Sequence, residues 1–405
     1  MSAGTWSDAR TPEEVVSPAG SRPNRDPTGQ DGGVSTREIT DSRALRSRIA
    51  RGDSLRGLRL QDVDLRDAVP DLLRMTDLTG LVVLGGIVPD ILVRHLRVAG
   101  ALVFPPDPSL PVDPYRSRLY EPRALYAGLT AHGYDGTPDR RAYDWLLDPV
   151  TAHDVYATVM RAVHDQSIDD ALDERLEGRR VVGVMGGHDE PRTSAAYADA
   201  ARLGRALADG DCLVLTGGGP GAMEAASLGG CVTDEAALRS ALQELASVPS
   251  YRPDIGRWAS TALAVRERHT DAVHRARVIA VPTWYYGHEP PHVFCAGIAK
   301  FFSNALREDT LLARCDSGIV VLPGAAGTVQ EIFQAVTRMY YATPSDATDP
   351  LPPLVLVGER QWTRDVPVWE LLKTLAADRP MSAAVHLVDS TQDAAELILR
   401  RNGRR

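Results

Sequence analysis

Short runs of consecutive apolar residues recur through the second half of the chain, each followed by a segment with helical spacing. Six runs predict strands, at residues 180–187, 212–216, 277–282, 318–322, 354–358 and 384–388. Thr193 or Ser194 is placed to cap the helix after the first run. Because unbroken apolar strands that alternate with helices are typical of sheets covered on both faces, we expect residues 175–405 to form a Rossmann-like, doubly wound parallel sheet of the α/β class.

The first third of the chain carries a different pattern. Residues 1–37 are rich in Ser, Pro, Gly, Asp and Arg without periodicity, which predicts a disordered tail. Apolar runs at 81–84 and 101–105 enclose a helical pattern, so we expect residues 41–150 to form a smaller N-terminal α/β domain. Residues 55–65 hint at one coil of a β-solenoid. A single coil cannot bury its own face, so a strand and turn is the favoured interpretation.

The charge and composition exclude several classes of partner. The formal net charge is −9 and the pI is about 5.6, whereas nucleic-acid and anionic-membrane binders need a basic surface. No apolar stretch reaches the ~18 residues of a membrane span, and the N-terminus lacks a secretion-signal pattern. We therefore expect a cytoplasmic protein with no nucleic-acid or membrane partner. The four cysteines lack zinc-ligand spacing and are expected to be buried free thiols.

A glycine-rich loop directly follows the second predicted strand. In doubly wound sheets, ligands bind beyond the carboxyl ends of the strands. The loop contains Gly217, Gly218, Gly219 and Gly221, and such glycines let backbone N–H groups close on an anion at the start of the next helix. Structural turns also use glycines in this way. The loop is not the dehydrogenase fingerprint, which would follow the first strand with an acidic residue about 20 positions later.

A second glycine loop follows the fourth predicted strand and runs from Gly324 to Thr328. Thr328 is placed as the cap of an amphipathic helix, and Glu331 is expected in its first turn. The helix N-terminus favours a phosphate in the loop, with Glu331 within about a turn of it. Two interpretations of Glu331 stay open: a catalytic carboxylate, or a first-turn acid that complements the helix dipole.

The two loops together resemble the LOG family of Rossmann-like phosphoribohydrolases, and the chain is also similar to bacterial nucleotide 5′-monophosphate nucleosidases. Five residues match the family pattern P-G-G-x-G-T-x-x-E, namely Pro323, Gly324, Gly327, Thr328 and Glu331. Ala325 stands in place of the second glycine, and the upstream G-G-G-x-x-G pattern is one residue shorter here. The resemblance covers about residues 178–400 and does not extend to residues 1–150.

The resemblance implies hydrolysis of a nucleoside 5′-monophosphate to free base and ribose 5-phosphate, without a cofactor or metal, in a homodimer or higher homo-oligomer. Glu331 would stabilise positive charge or orient water, and the helix arginine of the family corresponds to Arg307, with Arg314 as the rival. The implied nucleotide- and phosphate-binding residues are Gly217, Gly218, Gly219, Gly221, Met223, Glu224, Gly324, Ala325, Ala326, Gly327 and Thr328. Further candidates near the pocket are Gly186, His288, Glu289 and Asn304.

Other functions compete with hydrolysis. A non-catalytic nucleotide sensor on the same fold would keep the loops and lose the acid, so the presence of Glu331 favours an enzyme. A pyridoxal-phosphate decarboxylase would need a lysine, and only two are present: Lys373 near the C-terminal end and Lys300 on an apparent amphipathic helix. His288 and His292 have the spacing of a metal-binding pair, but the two prolines between them forbid a regular helix.

Overall fold

The computed structural model of the chain describes residues 37–286, 289–342 and 351–402. The predicted tail lies outside these residues, apart from Arg37. The described residues from Arg37 onward belong to a single structural unit that contains two parallel sheets. In the described ranges, no helix is both long enough and apolar enough to cross a bilayer.

The strands of both sheets are short. They are β1 (Glu38–Ile39), β2 (Arg59–Gln61), β3 (Val82–Leu84), β4 (Leu102–Phe104), β5 (Val181–Met185), β6 (Leu213–Thr216), β7 (Val278–Ala280), β8 (Gly297–Ile298), β9 (Gly318–Val321), β10 (Leu354–Val357) and β11 (Val385–Val388).

The helices are concentrated after β4. They are α1 (Ser42–Ala50), α2 (Val69–Leu72), α3 (Asp90–Val98), α4 (Pro122–Leu125), α5 (Leu129–His132), α6 (Pro138–Leu147), α7 (Pro149–Ala152), α8 (Val155–Leu176), α9 (Ala195–Asp209), α10 (Ala222–Cys231), α11 (Glu235–Leu245), α12 (Ile255–His269), α13 (Ala272–Arg275), α14 (Asn304–Ala313), α15 (Ala326–Tyr340), α16 (Trp369–Ala376) and α17 (Thr391–Asn402).

The large sheet has seven parallel strands in the order β11-β10-β9-β5-β6-β7-β8. Strands β5, β6, β9 and β10 are buried along their whole length, because helices cover both faces. The predicted Rossmann-like, doubly wound α/β fold is therefore confirmed. The chain proceeds outward from β5 through β8 and then crosses back to β9, so the strand order reverses between β5 and β9.

The small sheet consists of β1, β2, β3 and β4, all parallel and in chain order. It has its own apolar cluster between Ile39 and Val103. The strand-and-turn interpretation of residues 55–65 is confirmed, because β2 is an inner strand of this sheet. Helices α4 to α6 do not extend this cluster; Leu125, Leu129 and Ala142 instead pack in the core of the large sheet.

One local expectation is wrong, and one strand was not expected. Lys300 is not on a helix: it lies in the loop between β8 and α14, where Phe301 and Phe302 are buried by tertiary packing rather than by helical periodicity. Strand β8 was not expected, because it has only two residues and follows a long irregular segment. Other local expectations are confirmed: Ser194 caps α9 by accepting the backbone N–H of Tyr197, and all four cysteines are buried free thiols.

Candidate functional site

Three loops meet where the strand order reverses, at the carboxyl ends of β5, β6 and β9. The backbone N–H of Gly187 donates to the carbonyl of Pro323 at 2.9 Å, and the N–H of Ala222 donates to the carbonyl of Gly187 at 3.0 Å. Gly221 has φ +70°, and a Cβ there would lie 2.5 Å from the carbonyl oxygen of Gly187. A side chain at position 221 would therefore push the loops apart. In open α/β sheets this crevice is the usual place for a ligand.

The helices behind the two glycine loops, α10 and α15, both begin without a side-chain cap. Among the described helices of ten or more residues, every other one is capped by a side chain, from Thr137, Asp154, Ser194, Asp234, Asp254, Ser303 or Ser390. The first turn of a helix presents backbone N–H groups and a partial positive charge. Two such uncapped turns at one crevice favour an anionic ligand there.

The second loop differs from the expectation in where its helix begins. Helix α15 starts at Ala326, so Thr328 is inside the first turn rather than at the cap, and Glu331 lies in the second turn. The predicted cap at Thr328 is wrong, because the cap position is taken by Ala325, whose side chain cannot accept a hydrogen bond. Thr328 instead packs against Gly324, where a Cβ would lie 2.1 Å from the Thr328 hydroxyl oxygen. Ala325 has φ −111°, so its methyl group requires no left-handed backbone.

Arg307 on α14 and Glu331 on α15 meet beneath the first glycine loop. Nη1 of Arg307 is 3.6 Å from Oε1 of Glu331, and both side chains are about nine-tenths buried. A Cβ on Gly217 would lie 3.5 Å from Nη1 and 3.8 Å from Oε1, so the loop passes directly over the pair. Arg314, the rival candidate, is bound instead to Asp169 and Asp173, each at 2.7 Å.

The surroundings of Glu331 favour its protonated form. Its pKa is raised to about 8, first because the side chain is buried and then because Glu308 lies nearby, while Arg307 opposes the shift. Glu331 is therefore not a first-turn carboxylate in solvent. A carboxyl group with a pKa above neutrality can act as a proton donor near pH 7.

Glu308 is a member of this cluster that the sequence did not reveal. Its Oε1 is 3.1 Å from Nη2 of Arg307, which also donates to Oδ1 of Asn304 at 2.9 Å. Glu308 is buried, and burial raises its pKa. In the sequence, an acid directly after an arginine in a helix is indistinguishable from an exposed ion pair. Only the packing of α14 shows that both side chains point inward.

Helix α8 holds α14, and with it Arg307, through three aspartates spaced four residues apart. Asp165 accepts the backbone N–H groups of Phe302 at 2.9 Å and Ser303 at 2.8 Å, at the start of α14. Asp169 accepts from the hydroxyl of Thr310, also at 2.9 Å. Asp169 and Asp173 then bind Arg314 at the other end of α14. A segment N-terminal to the two glycine loops therefore sets the position of a helix that carries candidate site residues.

The segment between β7 and α14 borders the first glycine loop. Oε1 of Glu289 is 3.3 Å from Nδ1 of His188, and a Cβ on Gly219 would lie 3.5 Å from Oε2 of Glu289. Burial raises the pKa of Tyr286, and the charge of Arg307 opposes that rise. His288, a sequence candidate, lies outside the described residues.

Lys300 belongs to a buried cluster that fixes the same segment to α6. Its Nζ donates to Oδ1 of Asp139 at 2.6 Å, and Nε1 of Trp284 donates to the same oxygen at 2.9 Å. The hydroxyl of Tyr134 donates to Oδ2 of Asp139 at 2.9 Å. Burial lowers the pKa of Lys300, and Asp139 opposes that change. These contacts give Lys300 a packing role.

Glu224 is engaged in the protein interior. Its two carboxylate oxygens accept from Arg192 at 2.6 and 2.9 Å, and one of them also accepts the hydroxyl of Tyr197 at 2.9 Å. Met223, the neighbouring candidate, contacts the first loop: a Cβ on either Gly217 or Gly219 would lie 2.9 Å from its thioether end. The structure therefore brings Met223 to the loop and leaves Glu224 in a buried ion pair.

Two further candidates have packing contacts in the structure. A Cβ on Gly186 would lie 2.9 Å from Cβ of Leu322 and 3.0 Å from Cβ of Ala222, so this glycine permits the close approach of the loops. His292 is buried, and its Nε2 is 2.9 Å from the hydroxyl of Ser227 under the first loop. Burial lowers the pKa of His292 to about 3. Within the described residues, no group of three or more His, Cys, Asp or Glu side chains is arranged to hold a metal ion.

A cavity of about 760 Å³ lies on the other side of the second loop, between α9 and α17. Its wall includes Ala222, Leu322 and Pro323 from the loop region, but neither Arg307 nor Glu331. The cluster of Arg307 and Glu331 and this cavity are therefore separate features.

Residues 179–238, which contain β5, β6 and the first glycine loop, match the model of the SLOG cluster4 family. The chain is SLOG/LOG-like in this segment. The resemblance that the two glycine loops predicted is thus confirmed, although the matched segment is well under half of the chain. No curated protein matches the chain.

Several solved structures align with about half of this chain. One is the molybdenum cofactor binding protein of the phototrophic bacterium Rippkaea orientalis, at 19% identity and a TM-score of 0.32. The alignment covers 55% of this chain and 96% of that protein. The molybdenum cofactor carrier protein of Chlamydomonas reinhardtii aligns at 16% identity and a TM-score of 0.32, covering 55% and 97%. The X-ray structure of TM1055 aligns at 18% identity and a TM-score of 0.33, covering 55% and 99%. Similarity at this level carries no argument about ligand or activity.

Proposed function

We propose that this chain hydrolyses the N-glycosidic bond of a nucleoside 5′-monophosphate, releasing the free base and ribose 5-phosphate. The observation that carries the proposal is the buried pair of Arg307 and Glu331 at 3.6 Å, directly beneath a glycine loop. The raised pKa of Glu331 supports the same role, because glycosidic bond cleavage needs a proton for the leaving group. The SLOG/LOG-like sequence of residues 179–238 agrees with this assignment.

The 5′-phosphate is assigned to the uncapped first turns of α10 and α15. Gly217 to Gly221 and Gly324 to Thr328 bring the starts of these two helices to one crevice, where backbone N–H groups and helix dipoles favour an anion. Phosphate binding away from the reacting bond supplies energy for positioning the sugar.

In the proposed reaction, Glu331 is the proton donor to the departing base. As the bond from C1′ to the base nitrogen breaks, Glu331 gives its proton to that nitrogen and becomes a carboxylate. The new negative charge then stabilises the oxocarbenium-like sugar, and Arg307 stabilises the carboxylate. A water molecule adds its oxygen to C1′ and returns one proton to Glu331, which restores the starting state.

The test is an incubation of the full chain with nucleoside 5′-monophosphates of the common bases and of N6-modified adenine, with free base measured by chromatography. We expect Glu331→Gln to abolish base release while nucleotide binding, measured by calorimetry, is retained. Glu359→Gln is the matched control, since Glu359 is an exposed carboxylate that is not a member of the Arg307 cluster.

Turnover that persists in Glu331→Gln would show that the proton donor is misassigned. A wild-type chain that binds a nucleotide tightly but never releases base would refute hydrolysis and identify the chain as a nucleotide-binding protein without catalytic activity.

A further inference from the structure

Two buried polar atoms of the Arg307 cluster have no hydrogen-bond partner. They are Nε of Arg307, which can only donate, and Oε2 of Glu308, which accepts when ionised. Both side chains are more than nine-tenths buried, at 8% and 4% exposure. Buried polar groups are nearly always hydrogen-bonded, and each unpaired one is costly. A donor and an acceptor left unpaired on two neighbouring residues of one cluster are therefore expected to face a ligand.

The ligand group must match these two atoms. A phosphate does not, because three acidic side chains, Glu308, Glu331 and Glu289, surround a single arginine, and each of them that is ionised repels an anion. A pair of adjacent hydroxyl groups does match, since one hydroxyl can donate to Oε2 of Glu308 while the other accepts from Nε of Arg307. The uncapped helices remain available for the phosphate.

We infer that Glu308 contacts the substrate, and that together with Arg307 it binds the 2′,3′-diol of the ribose, so that the site selects ribonucleotides over deoxyribonucleotides. The inference rests on the proposed function for its substrate class, a nucleoside 5′-monophosphate. It adds Glu308, which the glycine-loop motifs do not contain, to the residues that contact the substrate. It also gives a physical basis for distinguishing ribonucleotides from deoxyribonucleotides.

The contacts of Glu308 explain why it can perform this task. Oε1 is held by Nη2 of Arg307 at 3.1 Å, which leaves Oε2 as the oxygen with unused capacity. Asn304 is a second fixed neighbour, since Nη2 of Arg307 also donates to it at 2.9 Å. The carboxylate is therefore oriented before the ligand arrives, so little conformational entropy is lost on binding.

A substrate that lacks one hydroxyl would leave one of these buried atoms unpaired. Sites built to bind a hydroxyl reject the analogue without it by large factors, and we expect discrimination of about 10- to 1,000-fold here. A hydrophobic sugar pocket would discriminate far less.

The experiment compares ribonucleoside 5′-monophosphates of the four common bases with their 2′-deoxy and 3′-deoxy counterparts. Binding is measured by calorimetry and base release by chromatography, for the wild-type chain, Glu308→Gln and Asp309→Asn. Asp309 is the exposed neighbour on the same helix and serves as the control. Thermal unfolding of each variant confirms that it is folded, and Glu308→Asp provides a second variant that keeps the charge.

We expect Glu308→Gln to weaken binding of ribonucleotides by about tenfold or more and to leave one of the two deoxy series within about threefold of wild type. The discrimination against that analogue should disappear, whereas Asp309→Asn should retain it. A Glu308→Gln variant that weakens ribo and both deoxy series equally would overturn the inference, since that is the signature of a structural role.

The outcomes separate this inference from the proposed hydrolysis. Ribose-selective binding that depends on Glu308, without any base release, would sustain the diol site and refute hydrolysis. Base release that is equally fast from ribo and deoxy substrates would sustain hydrolysis and refute the diol site. A chain that binds none of these nucleotides would overturn both.

Discussion

Replacing Asp165 by Asn should detach the start of α14 from α8 and displace Arg307. The carboxylate of Asp165 accepts two backbone N–H groups, from Phe302 and Ser303, at 2.9 and 2.8 Å. An asparagine has one acceptor oxygen, so one of the N–H groups would face the side-chain NH₂ and be left unpaired. Losing a charge-assisted hydrogen bond and leaving a donor unsatisfied costs about 2–4 kcal/mol of unfolding free energy.

The same change should affect catalysis more than binding. The proposed phosphate contacts are made by the two glycine loops and not by α14, so the part of the affinity that comes from the phosphate should be retained, whereas the proposed ribose contacts of Arg307 and Glu308 should weaken. A misplacement of about 1 Å at a reacting group can cost about 100-fold in rate, so base release by Asp165→Asn should fall by about that factor. Urea unfolding gives the stability, and chromatography and calorimetry give the rate and the affinity.

Asp173→Asn is the matched control on the same face of α8. Asp173 is about one-third exposed, and Arg314 retains Asp169 when Asp173 is removed. The expected loss is below about 1 kcal/mol, as for other partly exposed ion pairs. If Asp165→Asn were as stable and as active as the control, α8 would have no role in positioning Arg307.

Three other predictions follow from the site and its supports. The pKa of Glu331 rises on folding from 4.5 to about 8, so between these pH values the folded chain retains a proton that the unfolded chain loses. The free energy of unfolding should therefore fall as the pH rises from about 4.5 to about 8. Urea titrations at several pH values should show this fall for the wild-type chain and not for Glu331→Gln. Gly324→Ala should weaken phosphate binding at least tenfold in calorimetry, because its Cβ would clash with the loop, whereas Ala325→Gly should bind normally. Lys300→Met should destabilise the chain by about 3–5 kcal/mol in urea unfolding, because it leaves the buried charge of Asp139 without its partner. The double variant Lys300→Met/Asp139→Leu should recover part of that loss. If the losses of the two single variants simply add, the two residues are not an energetically coupled pair.

The strands of the large sheet could be predicted because they are buried on both faces. Such strands must be apolar at every position, and that pattern is visible without any knowledge of their partners. Their order could not be predicted in the same way, since pairing joins residues far apart in sequence, as in the contact of β5 with β9. Strand β8 could not be seen because a two-residue strand has no periodicity.

The site could be predicted in part. Arg307 and Glu331 were found through a resemblance at two loops, and the structure brings them together. Glu308 and Asp165 have no local signal, because their roles depend on burial and on partners that come from other helices. The cap was placed three residues too late, at Thr328 and not at Ala325, since the sequence rule for a helix start expects a side-chain cap and α15 has none.

Under the proposed function, the uncapped starts of α10 and α15 would link the stability of the chain to the supply of its ligand. A bound phosphate would provide the acceptors that Ser and Asp side chains provide to the other long helices, and it would do so only in the folded state. A ligand at about one hundred times its Kd then adds about 2.7 kcal/mol to stability. Substrate concentration would then affect how long each copy of the protein survives proteolysis as well as how fast it works.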